Sequence, residues 1–307
     1  MEKEFHPLVS IVIPVYNGSN FLSQAIDAAL TQTYDNIEIV VVNDGSKDEG
    51  ATEKVALSYG DKICYYFKEN GGVSSALNYG IEKMRGEYFS WLSHDDYYAP
   101  DKIEKEVQEL AKHTDKVNTI VCCADSLMDE NGAPIYHPAK HLEGTIHGSE
   151  LFDLFFSSHL PMNGCTLLIH KDLFTRYGRF STFRYIQDIE CWVKFMLGGV
   201  DYVFLPDCLV KMRVHAGQVT RRFPELYFVE MRQFANNIID QYLMAGKLTD
   251  SNVTALLAFL YKNHEKELYH RVEAITHRKN FLKKYYLITY GYMYDMIKLV
   301  YTKLIKK

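Results

Sequence analysis

No run of eighteen apolar residues occurs in the 307-residue sequence, which argues against a membrane-spanning helix. The opening Met1-Glu2-Lys3-Glu4-Phe5-His6-Pro7 lacks the apolar stretch of a secretory leader, so no signal peptide is expected. Basic charge is not in excess: 34 Lys and Arg against 39 Asp and Glu give a net −5. That balance excludes a chain built mainly to neutralise nucleic-acid phosphate. Cysteine is sparse, and Cys64, Cys122, Cys123, Cys165, Cys191 and Cys208 show no Cys-x-x-Cys spacing or paired framework. Such scatter fits reduced core thiols in a cytosolic protein. The Gly-x-Gly-x-x-Gly of dinucleotide folds and the Gly-x-x-x-x-Gly-Lys-Ser/Thr of P-loops are both missing. There is no internal repeat and no low-complexity segment.

What is present reads as an ordinary globular chain, with 47% apolar and 24% charged residues. The length suits one large α/β domain with an appendage, or two modest domains. Leu8–Val15 and Ile37–Val42 are nearly continuous apolar runs, as expected of strands buried on both faces of a parallel sheet. Further strands are expected near 63–67, 88–92, 118–124, 166–169, 202–205 and 210–214. Helices are expected near 22–30, 52–59, 73–84, 102–112, 150–156 and 188–197. This alternation implies βαβ units and a mainly parallel sheet. Beyond Thr220 the pattern is helical only, over about 224–246, 250–268 and 270–305.

In open parallel sheets ligands bind beyond the carboxyl ends of the strands. Those rims read Pro14-Val15-Tyr16-Asn17, Asn43-Asp44-Gly45-Ser46, Glu69-Asn70-Gly71-Gly72 and Ser93-His94-Asp95-Asp96. They are acidic, small or aromatic, and a carboxylate edge that takes up phosphate needs a divalent cation between the like charges.

In chain order, Val9-Ser10-Ile11-Val12-Ile13-Pro14-Val15-Tyr16-Asn17, Val42-Asn43-Asp44-Gly45-Ser46, Asn70 through Asn78 and Trp91-Leu92-Ser93-His94-Asp95-Asp96 resemble the family-2 glycosyltransferases. Gly164-Cys165-Thr166-Leu167-Leu168-Ile169, Gln187-Asp188-Ile189-Glu190-Cys191-Trp192 and Met212-Arg213-Val214-His215 continue the resemblance. It implies an α/β GT-A fold, a mainly parallel Rossmann-like sheet flanked by helices with an all-helical C-terminal extension. The implied division is a catalytic domain over 1–220, with a nucleotide-binding half to about 125 and an acceptor half from about 126, then a helical region over 221–307. The implied reaction is inverting, metal-dependent transfer of a sugar from a nucleotide-diphosphate donor, expected to be a UDP-sugar, to a hydroxyl of a glycan or lipid-linked acceptor.

The resemblance also assigns residues. Pro14, Tyr16, Asn17, Asp44, Asn70, Gly72, Ser75, Asn78 and Asp95 are expected to contact the nucleotide-sugar, with Asp44 on the base and Asp95 on the ribose. Asp96 is expected to ligate Mn²⁺ or Mg²⁺, with His215 completing the metal or diphosphate environment. Ser93 stands where relatives often carry a first Asp, which removes one carboxylate. Asp188 is expected to be the general base and Glu190 is its nearest rival; Gln187 stands where Glu is commoner. Gly164, Cys165 and Gln187 are assigned to the acceptor side. Without the resemblance the same residues have plainer readings: Asp44 as a turn residue, Asp95-Asp96 as a solvated helix start, Asn78 as a polar helix residue, His215 as structural, Cys165 as core. A nucleotidyltransferase lacks support because Pro14-Val15-Tyr16-Asn17-Gly18-Ser19 has no Arg/Lys-bearing glycine loop. A non-catalytic binding homologue is disfavoured by the joint presence of Asp44, Asp95, Asp96, Asp188 and His215.

Charge is uneven along the chain. From Arg278 onward eight bases face Asp295 alone, a net +7, which leaves −12 on the rest. Tyr285, Tyr286, Tyr290, Tyr292, Tyr294 and Tyr301 interleave with those bases, a pattern suited to an anionic membrane surface or to a helical bundle or homodimer contact. The expected location is cytoplasmic, with peripheral contact at the inner membrane face. No nucleic-acid partner is expected.

Overall fold

The structure is a computed structural model that describes residues 5–135, 142–158 and 162–276. The basic tail and most of the His-rich loop that follows Ile135 lie outside the described residues. The first elements are β1 (Val9–Val15), α1 (Leu22–Leu30), β2 (Ile37–Asn43), α2 (Ala51–Leu57), β3 (Cys64–Phe67), α3 (Val73–Lys83), β4 (Tyr88–Trp91), β5 (Tyr97–Tyr98) and α4 (Lys102–Ala111). They are followed by β6 (Thr119–Met128), β7 (Pro134–Ile135), β8 (Gly144–His147), α5 (Gly148–Ser158), β9 (Leu167–His170), α6 (Lys171–Tyr177), α7 (Gln187–Leu197) and β10 (Asp201–Arg213). Helices α8 (Val219–Arg222), α9 (Pro224–Ile238), α10 (Asp250–Lys262) and α11 (Lys266–Thr276) complete the order.

One sheet runs β3-β2-β1-β4-β9-β6-β10-β5, with β7 beside β6 and β8 beside β10. Strands β3, β2, β1 and β4 are mutually parallel. Beyond β4 the sheet is mixed, because β9 lies antiparallel to both β4 and β6 while β10 runs parallel to β6. All of β1 is buried, as its apolar run requires. Leu22, Ala25, Ile26 and Ala29 on α1 and Ala76, Leu77 and Ile81 on α3 are buried at helical spacing, and both helices pack on β1.

Three differences from the sequence reading have local causes. The two extended segments expected near 202–205 and 210–214 are one strand, β10, whose pairing with β6 shifts register between Phe204 and Cys208 and again before Val210. Pro206, which has no N–H to donate, lies inside that shift, so a bulge replaces the break. The helix expected over 250–268 stops at Lys262 and a new one starts at Lys266, because His264 adopts a left-handed φ of 60°. The helix expected to run to 246 gives way to a π turn at Ile239–Leu243.

The chain divides into two compact units: Met1–Leu151 with Pro161–Glu230, and Phe152–Leu160 with Met231–Lys307. The second begins inside α5 for a physical reason. Phe152 and Phe156 stack at 4.5 Å, Phe156 meets Phe259 edge-on at 5.2 Å, and the Asp153 carboxylate accepts from Ser251 Oγ and, at 2.7 Å, from Asn252 Nδ2. Every residue of the candidate site belongs to the first unit. Among the described residues no helix is long and apolar enough to cross a membrane. All six cysteines are free, and Cys208 is exposed rather than in the core.

Candidate active site

The carboxyl rims of β1, β2 and β3 form one connected edge. The Asn17 N–H donates to Ser46 Oγ at 2.9 Å and the Lys47 N–H to Asn17 Oδ1 at 2.7 Å, with Asn17 itself at a φ of 50°. Pro14 sits beyond Val12, where the β1–β4 pairing stops, so its missing N–H costs no bond on that side. Tyr16 projects from the same rim and is 43% exposed. Asp44 is its opposite, buried at 3% exposure. Its carboxylate accepts from Lys68 Nζ at 2.6 Å, Asn70 Nδ2 at 3.2 Å, the Gly71 N–H at 3.1 Å and the Gly72 N–H at 2.7 Å. Ser75, in the first turn of α3, lies against Gly71. The structure therefore gathers Pro14, Tyr16, Asn17, Asp44, Asn70, Gly72 and Ser75. Lys68, which the sequence reading passed over, is the cation of this cluster; its position just after an apolar strand was the available signal.

Asn78 does not join them. Its amide donates to the Phe180 carbonyl at 2.8 Å and accepts the Phe180 N–H at 3.1 Å, so it pins the segment before α7 rather than facing the rim.

At the β4 rim, Gly18 lies so close to His94 that a Cβ there would fall 2.2 Å from the ring, which ties the β1 rim to this loop. Burial pushes the His94 pKa down, which favours the neutral imidazole. Asp95 and Asp96 point to different partners. The Asp95 carboxylate meets His215 Nε2 at 2.8 Å. His215 Nδ1 accepts the Gly217 N–H at 3.2 Å, which leaves Nε2 as the protonated nitrogen facing Asp95. Asp96 turns inward, accepting from the Arg213 N–H at 2.9 Å and the Cys165 thiol at 3.4 Å. Burial and then the neighbouring Asp95 raise its pKa. Asp96, expected to ligate the metal, thus has its carboxylate turned inward, and it is the Asp95 carboxylate that stands beside His215.

Arg213, another residue the sequence reading left without a role, builds this corner. Its guanidinium donates to the carbonyls of Asp95 at 2.9 Å and Glu130 at 2.7 Å and to Gln24 Oε1 at 2.8 Å, and lies 4.5 Å from the Phe21 ring centroid. All those acceptors are neutral, so Arg213 joins α1, the β4 loop and the β6 loop, while its charge opposes the rise in the Asp96 pKa.

The residues assigned to the acceptor side are packed into the interior. Cys165, 1% exposed, bridges Ser93 and Asp96 in the interior, and burial pushes its thiol pKa well up. Gly164 backs onto Trp91, where a Cβ would fall 2.3 Å from the indole, so glycine is required there by close approach. Gln187 is buried, and its Oε1 has no hydrogen-bond partner.

Asp188 stands in the first turn of α7 and accepts the Ile189 N–H at 2.8 Å. Burial outweighs that bond and pushes its pKa up to about 6. The rival, Glu190, is held by Lys194 Nζ at 2.7 Å, which fixes it as a paired carboxylate.

The α/β sheet thus carries the carboxylates of Asp44, Asp95 and Asp96 along one edge, and a further carboxylate of raised pKa, Asp188, stands on a helix. The profile of glycosyl transferase family 2 matches residues 10–178, over half of the chain, and the chain belongs to that family. It is 44% identical over 285 residues to a glycosyltransferase of Rickettsia typhi, covering 91% of this chain and 87% of that one. Identity to a glycosyltransferase of Rickettsia prowazekii is 42% over 285 residues, with 90% and 86% covered. Among solved structures, TarS of S. aureus in complex with UDP-GlcNAc superposes with a TM-score of 0.65 at 18% identity, covering 83% of this chain and 72% of that one. The mannosyltransferase PcManGT from Pyrobaculum calidifontis, in complex with GDP-Man and Mn²⁺, gives 0.61 at 18% identity, with 95% and 81% covered. These likenesses establish the GT-A fold and a glycosyltransferase enzyme.

Proposed function

We propose that the protein transfers a sugar from a UDP-sugar to a hydroxyl of a glycan or lipid-linked acceptor by a single, inverting displacement. The observation that carries this reading is Asp188: a half-buried carboxylate with its pKa pushed up to about 6 holds a proton acceptor ready near neutral pH. In that displacement Asp188 takes the proton of the acceptor hydroxyl as its oxygen bonds to the anomeric carbon, and the bond to the diphosphate oxygen breaks. Tyr16, Asn17 and the Asp44–Asn70–Gly72 loop receive the uridine, and Ser75 lies beside that loop.

The donor set fits Mn²⁺ or Mg²⁺. Asp95 and His215 offer one carboxylate and one imidazole 2.8 Å apart, and a proton now lies between them that a cation can replace. Among the described residues no group of three or more such side chains converges, so the remaining ligands would come from the donor diphosphate and water, as is usual for a cation that arrives with a nucleotide. When bound, the ion supplies positive charge to the departing diphosphate. Asp96 and Arg213 hold the loop that carries Asp95.

The basic, tyrosine-rich segment from Arg278 supports a place at the anionic inner face of a membrane, where a lipid-linked acceptor would be met. A donor screen tests the central reading: nucleotide release from UDP-glucose, UDP-galactose, UDP-N-acetylglucosamine and GDP-mannose is measured with and without Mn²⁺, and the anomeric configuration of the product is determined. Turnover with Mn²⁺ and a β product from an α donor is expected. A product that retains configuration, or turnover with GDP-sugars alone, would overturn it.

A further inference from the structure

The segment between α6 and α7 is irregular, and side chains from elsewhere fix it. Asn78 pairs with both backbone groups of Phe180, and Ser74 Oγ donates to the Phe183 carbonyl at 3.3 Å. The next three residues converge on one carboxylate. Glu230, on α9 and 6% exposed, accepts the N–H groups of Arg184 at 2.9 Å, Tyr185 at 2.8 Å and Ile186 at 3.1 Å. Beside it the rings of Tyr185 and Tyr227 meet at 5.5 Å. Ile186 is the N-cap of α7 and has no side-chain oxygen; Glu230 instead holds the backbone N–H of the cap residue itself and of the two residues that lead into it. Asp188 follows two residues later, its own carboxylate tied to the Ile189 N–H within the same first turn.

We infer that Glu230 is the positioning residue of the general base: by gathering the N–H groups of 184–186 it sets where α7 begins, and thereby where the Asp188 carboxylate stands. The inference rests on the assignment of Asp188 as base. Three charge-assisted bonds to consecutive backbone donors define a position more tightly than any single contact, and a base must be placed within a fraction of an ångström. Glutamine cannot substitute, because its amide presents one oxygen and turns an NH₂ toward a backbone N–H. Aspartate keeps the charge and both oxygens but is shorter by one methylene.

The test uses the full chain with Mn²⁺ and whichever of UDP-glucose, UDP-galactose or UDP-N-acetylglucosamine it turns over, with UDP affinity followed by calorimetry. Glu230→Gln is expected to lower kcat by about 10- to 100-fold while UDP affinity stays within about twofold. Glu230→Asp should lie between it and the wild type. Adding Glu230→Gln to Asp188→Asn should cost nothing further, since a residue that acts only through Asp188 then has nothing to position. Wild-type kcat in Glu230→Gln, a parallel loss of UDP affinity, or full multiplication of the two losses in the double variant would overturn the inference. If Glu230→Gln does not fold, Glu230→Asp decides: reduced kcat at unchanged UDP affinity supports the inference, and wild-type kcat overturns it. An inactive Asp188→Asn beside a fully active Glu230→Gln removes only the role of Glu230. A fully active Asp188→Asn removes the base assignment and this inference with it.

Discussion

Two acidic corners stand on the same sheet edge and are built in opposite ways. At the β2 rim the single carboxylate of Asp44 is surrounded by donors: an ammonium, a side-chain amide and two backbone N–H groups. At the β4 rim two consecutive carboxylates share one imidazole, one backbone N–H and one thiol, while the nearby guanidinium of Arg213 serves neutral oxygens. The first corner is electrostatically complete and holds a loop in shape. The second has fewer donors per carboxylate, and burial, then the neighbouring Asp95, raises the pKa of Asp96; in the proposed function a divalent cation would relieve that crowding. Similar acidic motifs therefore mean different things according to how many donors the fold brings to them.

The largest expected effect lies outside both corners and isolates chemistry from binding. Asp188→Asn keeps the shape of the side chain but cannot take a proton, so transfer should slow by about 10²- to 10⁴-fold with UDP affinity unchanged in the presence or absence of Mn²⁺. Normal transfer by this variant would return the base to another residue.

Breaking the complete corner should next affect the fold. Asp44→Ala strands the Lys68 ammonium and the N–H groups of Gly71 and Gly72, at a cost of about 3 kcal/mol in denaturant or thermal unfolding. UDP binding should weaken whether or not Mn²⁺ is present. A variant of unchanged stability would show that the Asp44 contacts hold nothing in place.

Breaking the incomplete corner should do the reverse. Asp95→Asn or His215→Ala should abolish the gain in UDP affinity that Mn²⁺ confers, by about tenfold or 1.4 kcal/mol, and leave metal-free affinity and stability nearly unchanged. Calorimetry of the same titration on Asp96→Asn sharpens the comparison. If that variant loses the metal effect and Asp95→Asn keeps it, the two aspartates exchange roles.

A further effect concerns pH. Asp188 must be ionised to act, so kcat should fall about tenfold per unit below its pKa of about 6. Its pKa in the unfolded chain is the ordinary 3.8, so between about 4 and 6 the folded protein keeps a proton that the unfolded chain has lost. Folding stability from this group therefore declines as pH rises through that window, and Asp188→Asn should be the more stable protein at pH 7 to 8, by up to about 3 kcal/mol. Thermal unfolding of the pair across pH checks the sign.

The sequence by itself determined the βαβ alternation, the buried strands β1 and β2, and the rim positions of Asp44, Asp95 and Asp96. Apolar periodicity and the residues that follow each strand are local signals, and a parallel sheet converts them directly into one edge. Tertiary structure alone decided which rim carboxylate faces inward. Asp95 and Asp96 are indistinguishable in a chain and are separated only when Arg213, Cys165 and His215 arrive from far along it. The same holds for Asn78 and Gly164, whose roles come from Phe180 and Trp91, and for Glu230, which nothing in the local sequence of α9 marks out. Hydrogen bonds between residues dozens to over a hundred positions apart leave no periodicity to read, because the groups that satisfy a buried carboxylate are chosen by packing and not by spacing.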